Sequence, residues 1–187
     1  DCGGQVGAGD APRLGEVSFS SWGAPPRGAP REVEIVLHVA VTPPDGPVER
    51  QTFCYSGQWW RQDAKAVCRY EERDAAAVTT LKVAAGTLTL LRQGEITCRQ
   101  SFRAGEAGRA LYRTPYGIWP MAWRCRLLDV RLSDGPETAV ARGSSGQDMA
   151  VIRFSYDLEL GGQYLGLYDV LVEVGDGQGS KGFVSVN

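Results

Sequence analysis

Between Arg31 and Val174 the apolar residues recur every second position, and no window of adequate length repeats at the 3.6-residue period of an amphipathic helix. Val33, Ile35, Leu37, Val39 and Val41 share one face of an extended run, with Glu34, Val36, His38 and Ala40 on the other. Ile152, Phe154, Tyr156, Leu158 and Leu160 alternate in the same way with Arg153, Asp157 and Glu159. This two-residue period commits the chain to half-buried strands and hence to an all-β fold.

The breaks between runs say how the strands connect. TPPDGPVER cannot continue a ladder and reads as a loop. A strand over Gln51 to Tyr55 is expected to stop at Ser56 and Gly57, with Trp59, Trp60 and a run through Val67, Cys68, Arg69 and Tyr70 following. A two-residue loop at Ala85 and Gly86 pairs Val83 with Leu88 and Leu81 with Leu90. A three-residue loop of Arg92, Gln93 and Gly94 then pairs Leu90 with Ile96 and Leu88 with Cys98. Thr114, Pro115, Tyr116 and Gly117 fit a type I turn. The run from Met121 to Leu132 changes phase near Leu127 and Leu128, which marks a bulge. Gly161 and Gly162 close a hairpin onto a strand from Tyr164 to Val174 that is apolar on both faces and is expected to be covered on both. Hairpins in series, one bulge and clean alternation fit a single antiparallel up-and-down β-barrel, with a sandwich as the alternative.

The barrel domain is assigned to residues 32–174, between a Gly/Pro/Ala-rich arm at 1–31 and a flexible tail at 175–187. Within the arm, Phe19 and Trp22 could dock on the barrel. The 20 basic and 22 acidic residues leave a net charge of -2, so no global field draws the chain to nucleic acid. No apolar run reaches the roughly 18 residues of a membrane-spanning helix. Cys2, Cys54, Cys68, Cys98 and Cys125 include no C-x-x-C pair; Cys68, Cys98 and Cys125 read as small buried hydrophobes, and a cytoplasmic location follows, with disulfides left open.

Chemistry is sparse. The single histidine, His38, has no Ser or Cys signature around it, so no triad, metal cluster or cofactor is expected. GQVGAG matches a phosphate loop in composition only, lacking the strand, helix and Lys. The one constellation of interest is Glu72, Arg92, Tyr112, Tyr116 and Trp119, all near strand ends or turns and so at a barrel mouth, with Tyr156 facing inward. Arg92 would clamp an anion between aromatic walls, held by Glu72 through a bidentate pair; the same two residues equally make a structural ion pair closing one end.

Tyr70-Glu71-Glu72, LTLLRQGEITCRQSF, Tyr112-x-Thr114-Pro115-Tyr116-Gly117 and FSYDLELGGQYLG stand in an order and spacing that resemble the YwiB-like family of uncharacterised bacterial proteins. The resemblance covers roughly residues 32 to 174, while the arm, the ARGSSGQ segment and the tail depart from it. It implies a calycin-type barrel of the lipocalin and streptavidin kind and no assigned activity. Two functions are therefore carried forward: a non-catalytic barrel that binds a small molecule at its mouth or in its lumen, and a scaffold that binds a macromolecule through its outer surface. If Phe154, Tyr156 and Trp123 fill the lumen, the first reading fails.

Overall fold

The computed structural model describes residues 29–133 and 148–177. They form ten strands: β1 (Arg31–Thr42), β2 (Glu49–Gln62), β3 (Lys65–Glu72), β4 (Ala77–Ala84), β5 (Thr87–Gly94), β6 (Cys98–Phe102), β7 (Ala107–Thr114), β8 (Gly117–Leu132), β9 (Asp148–Leu160) and β10 (Gln163–Asp176). Chain neighbours pair antiparallel except β6 and β7, and β10 returns to pair with β1, giving one sheet ordered β6-β5-β4-β3-β2-β1-β10-β9-β8-β7. The sheet nearly closes into a barrel. At the remaining seam, between β6 and β7, Thr97 and Arg113 exchange backbone hydrogen bonds of 2.9 and 3.0 Å. The Trp123 indole also bridges toward β6, donating from Nε1 to the Ser101 carbonyl at 3.0 Å. Gly108, which pairs with Trp123, leaves room for that ring; a Cβ there would overlap the indole.

Most of the expected reversals are present. Val83 pairs with Leu88 and Leu81 with Leu90 around Ala85 and Gly86, Thr114 pairs with Gly117, and β8 carries a bulge between Cys125 and Leu127. The bulge brings Leu128, Val130 and Leu132 inward against the core and leaves Leu127 40% exposed.

Three expectations are corrected. The three-residue loop at Arg92 to Gly94 does not form: β5 runs on through Gly94, and Leu90 pairs with Gln100, Leu88 with Phe102 and Arg92 with Cys98. The shift is an even number of residues, so the face is kept while the turn moves. Gly94 serves a close approach instead, because a Cβ there would overlap the Ala76 carbonyl. The β10 strand is not covered on both faces: Val170, Val172 and Val174 are buried, but Leu167 and Leu171 on the outer face are only half-buried. Finally, Ser56 and Gly57 do not end a strand. β2 runs straight through them, and the reversal falls at Asp63 and Ala64, with Asp63 at φ 52.

Gly57 is there for space. A Cβ would lie 2.5 Å from Ile35 Cδ1 and 2.6 Å from the Arg69 carbonyl oxygen. The carbonyl belongs to a paired strand and cannot swing away. Gly57→Ala is therefore expected to destabilise the fold by about 1–3 kcal/mol through overpacking, read as a lower urea midpoint with an unchanged m-value.

The arm with Phe19 and Trp22, the GQVGAG run, Cys2, the ARGSSGQ segment and most of the tail lie outside the described residues.

Candidate functional site

The antiparallel register stacks the inward side chains of β3, β4, β5 and β6 into rows. Ala66, Val83, Leu88 and Phe102 make the deepest; Cys68, Leu81, Leu90 and Gln100 the next; Tyr70, Thr79, Arg92 and Cys98 the third. The deepest row meets the opposite wall in a packed floor. Phe102 is fully buried there, its ring centroid 4.8 Å from Tyr156, 5.0 Å from Phe154 and 5.9 Å from Trp123. These aromatics fill one end of the barrel and no more.

Above them lies a cavity of about 470 Å³. Leu37, Val39, Val170 and Val172 supply an aliphatic wall, and Phe53, Tyr55, Tyr70, Tyr156 and Tyr168 an aromatic one. Tyr55 stacks on Tyr70 at 4.9 Å, and Tyr156 on Tyr168 at 5.4 Å. The cavity reaches toward the end where β1–β2, β3–β4, β5–β6, β7–β8 and β9–β10 connect, since Ala75, Leu160 and Leu165 border it. It is therefore an unfilled upper half of the lumen over a solid lower half.

Of the residues nominated from sequence, Glu72, Arg92, Tyr112 and Tyr156 all border this cavity. Tyr116 and Trp119 do not: Tyr116 is 92% exposed at the tip of the β7–β8 hairpin, and Trp119 packs along Gly117 and Gly161 at the hairpin ends. Both belong to the mouth end of the barrel rather than to the cavity lining.

Arg92 and Glu72 form an ion pair, Arg92 Nη2 donating to Glu72 Oε2, with side chains 24% and 12% exposed. The contact is through one guanidinium nitrogen instead of the expected two. The second carboxylate oxygen, Oε1, accepts from the Thr79 hydroxyl at 2.5 Å, and Thr79 sits beside Arg92 in the same row. Burial works against the Arg92 charge, but the neighbouring Glu72 carboxylate outweighs it and holds the guanidinium above its usual value. Arg92 Nε is thereby left buried without a hydrogen-bond partner, and so is Gln100 Nε2 in the next row down. Gln100 is 6% exposed. Buried donors are normally paired, so two orphans on one cavity wall need an explanation.

Burial also acts on other titratable groups at the cavity. Burial pushes the Tyr70 hydroxyl well above its usual value, with Glu72 adding to the shift. It does the same at Tyr156 and Tyr168 and raises the Cys98 thiol against the opposing pull of Arg92. His38 is on the outer face, its Nδ1 3.0 Å from Thr52 Oγ1 and its Nε2 3.1 Å from Glu173 Oε2. Asp157, also outward, accepts from Arg126 Nε at 2.6 Å and Nη2 at 2.9 Å, and those bonds hold its carboxyl below the usual range. Cys54, Cys68, Cys98 and Cys125 are free thiols, and burial pushes Cys68 up to about 12. Among the described residues no cluster of His, Cys, Asp and Glu could hold a metal ion, and no helix is long and apolar enough to cross a membrane.

Gln100 was missed from sequence, although its signal was present. It has the parity of Cys98 and Phe102, both apolar and both buried, and a polar residue at an inward position of a strand is the informative exception.

With this geometry in view, the comparisons are consistent. The model of DUF1934, a domain of unknown function, matches residues 38–172. The crystal structure of the ywiB protein from Bacillus subtilis is similar in fold, with a TM-score of 0.62 and 22% identity, covering 86% of this chain and 100% of that one. No curated protein matches the chain.

Proposed function

The chain belongs to the DUF1934 family, and from that premise we propose that it is a non-catalytic β-barrel that binds a small molecule in its lumen. The observation that carries this reading is the cavity of about 470 Å³ with two unpartnered buried donors on its wall. That volume lies within the roughly 300–1,000 Å³ of small-molecule sites, and a mostly apolar lining with a few polar groups is their usual composition. A void of this kind lowers stability unless a ligand fills it, because its lining atoms lack packing partners. The orphan donors add to that cost until an acceptor reaches them. Glu72, itself held by Thr79, fixes the Arg92 side chain, so the wall is preorganised.

Burial raises the Cys98 thiol and the Tyr70, Tyr156 and Tyr168 hydroxyls above their usual values, and the Glu72 carboxylate is engaged by Arg92 and Thr79, which supports a binding reading over a catalytic one. The alternative, a scaffold for another macromolecule, draws on Leu111, Tyr116 and Ile118, which are 49%, 92% and 55% exposed on the β7–β8 hairpin.

The test is the thermal midpoint of the purified protein against a panel of metabolites and lipids. A ligand selective for the folded state at about 100 times its Kd stabilises by about 2.7 kcal/mol, which for a chain of this size raises the midpoint by about 5–10 °C. The expected result is such a shift with one chemical class, reduced in Arg92→Ala. No shift across the panel, with binding partners captured through Leu111 and Ile118, would move the assignment to the scaffold.

A further inference from the structure

Among the described residues the charged side chains lining the cavity are Arg92 and Glu72, and they cancel. Burial raises Cys98, Tyr70, Tyr156 and Tyr168 there above their usual values and so favours their neutral forms. A ligand with a net charge would leave that charge uncompensated in a low-dielectric space. The unmet demand of the wall is of another kind: Arg92 Nε and Gln100 Nε2 are both donors. They come from adjacent strands and adjacent rows, Arg92 pairing with Cys98 and Leu90 with Gln100, so the two lining side chains are diagonal neighbours. Around them the lining is aliphatic and aromatic.

Taking the lumen as the binding site, we infer that its ligand is an uncharged, largely apolar molecule carrying a carbonyl-type oxygen, which accepts hydrogen bonds from Arg92 Nε and Gln100 Nε2. A hydrocarbon would fill the space and leave both donors unmet. An amine would bring more donors to donors. A carboxylate would satisfy the donors but add a negative charge beside Glu72, whose partner is already engaged. A ketone, ester or amide meets the geometry and the charge together, and the arginine acts as a hydrogen-bond donor rather than as an anion clamp.

Three probes built on one ring system test this: 6-propionyl-2-(dimethylamino)naphthalene, the corresponding 6-(dimethylamino)-2-naphthoate, and the 6-propyl analogue with a hydrocarbon chain in place of the acyl group (the hydrocarbon control), each titrated by fluorescence into the full chain at neutral pH. The ketone is expected to bind at least tenfold more tightly than either relative. Gln100→Met, close in volume, is expected to weaken the ketone about fivefold or more and to leave the hydrocarbon unchanged, which also reports that the cavity is intact. Tightest binding of the naphthoate overturns the neutral-acceptor inference and leaves the container reading standing. Equal binding of ketone and hydrocarbon overturns the role of the two donors. If none of the three binds and the metabolite and lipid panel is silent as well, the container reading itself falls.

Discussion

Glu72→Ala will cost the fold about 2–4 kcal/mol, far more than a surface charge is worth, and seen as a drop of about 4–16 °C in the thermal midpoint. Removing this one carboxylate strands two groups. Arg92, whose side chain is 24% exposed, keeps its charge and loses its counterion. Thr79, 1% exposed, keeps its hydroxyl and loses its acceptor. The penalty is that of leaving polar groups buried and unmatched, and it differs from the net worth of the pair. A second set of variants separates the two. Replacing the whole cluster, Glu72→Leu with Arg92→Met and Thr79→Val, removes every stranded group and is expected to return stability to within about 1.5 kcal/mol of the parent, as volume-conserving core swaps do. A triple variant as unstable as Glu72→Ala would mean that the pair itself holds this end of the barrel together. The milder Glu72→Gln keeps an acceptor for Arg92 but leaves the lumen with a net positive charge. The preference among ring-matched probes should then turn toward the naphthoate, a reversal that simple loss of packing cannot produce.

How far the sequence reaches into this site depends on parity and register, which carry different information. Parity is written in every strand. It is why the Ala85-Gly86 hairpin, the β8 bulge and the inward face of β9 follow from the residues alone, and why Arg92 could be misplaced by one turn and still be found facing inward. Register needs the turn, and there the signals mislead where glycine does something other than turn. Gly57 and Gly94 look like chain reversals, yet each lies within a strand at a point where another backbone comes too close for a Cβ. Nothing local distinguishes those two uses of glycine. The reversal at Asp63-Ala64 lacks the usual turn glycine and passed unseen. The site divides in the same way. Glu72, Arg92, Tyr112 and Tyr156 were reachable because inward polar or aromatic residues near strand ends stand out. Tyr116 and Trp119 share the hairpin with Tyr112, but Tyr116 lies at its tip and Trp119, although it pairs with Tyr112, packs along Gly117 and Gly161, and only three-dimensional curvature decides which aromatics reach the lumen. The orphan donors are a property of pairing among Glu72, Thr79, Arg92 and Gln100, four residues on four strands, and no single segment contains it.

Phe102→Ala is expected to have the largest effect of any single truncation, about 3–5 kcal/mol. Phe102 is 0% exposed and touches the rings of Trp123, Phe154 and Tyr156. It lies on β6, the five-residue strand beside the open seam, where the backbone ladder contributes least. Those neighbours are on long, doubly paired strands and cannot collapse inward to refill the space. The cost should therefore fall at the upper end of the range, since residual cavity volume sets it. The functional consequence runs the other way. Phe102 packs against Phe154 and Tyr156, which line the cavity of about 470 Å³, so its removal is expected to deepen the lumen. In the folded fraction, apolar probes longer than the native cavity accepts should gain affinity, while the ketone that meets Gln100 and Arg92 one and two rows above should change little. Stability and ligand size then separate into two readouts of one residue. A variant that lost stability without accepting longer probes would show that the floor had closed up, and that the depth of the lumen is set by the curvature of the sheet instead of by this ring.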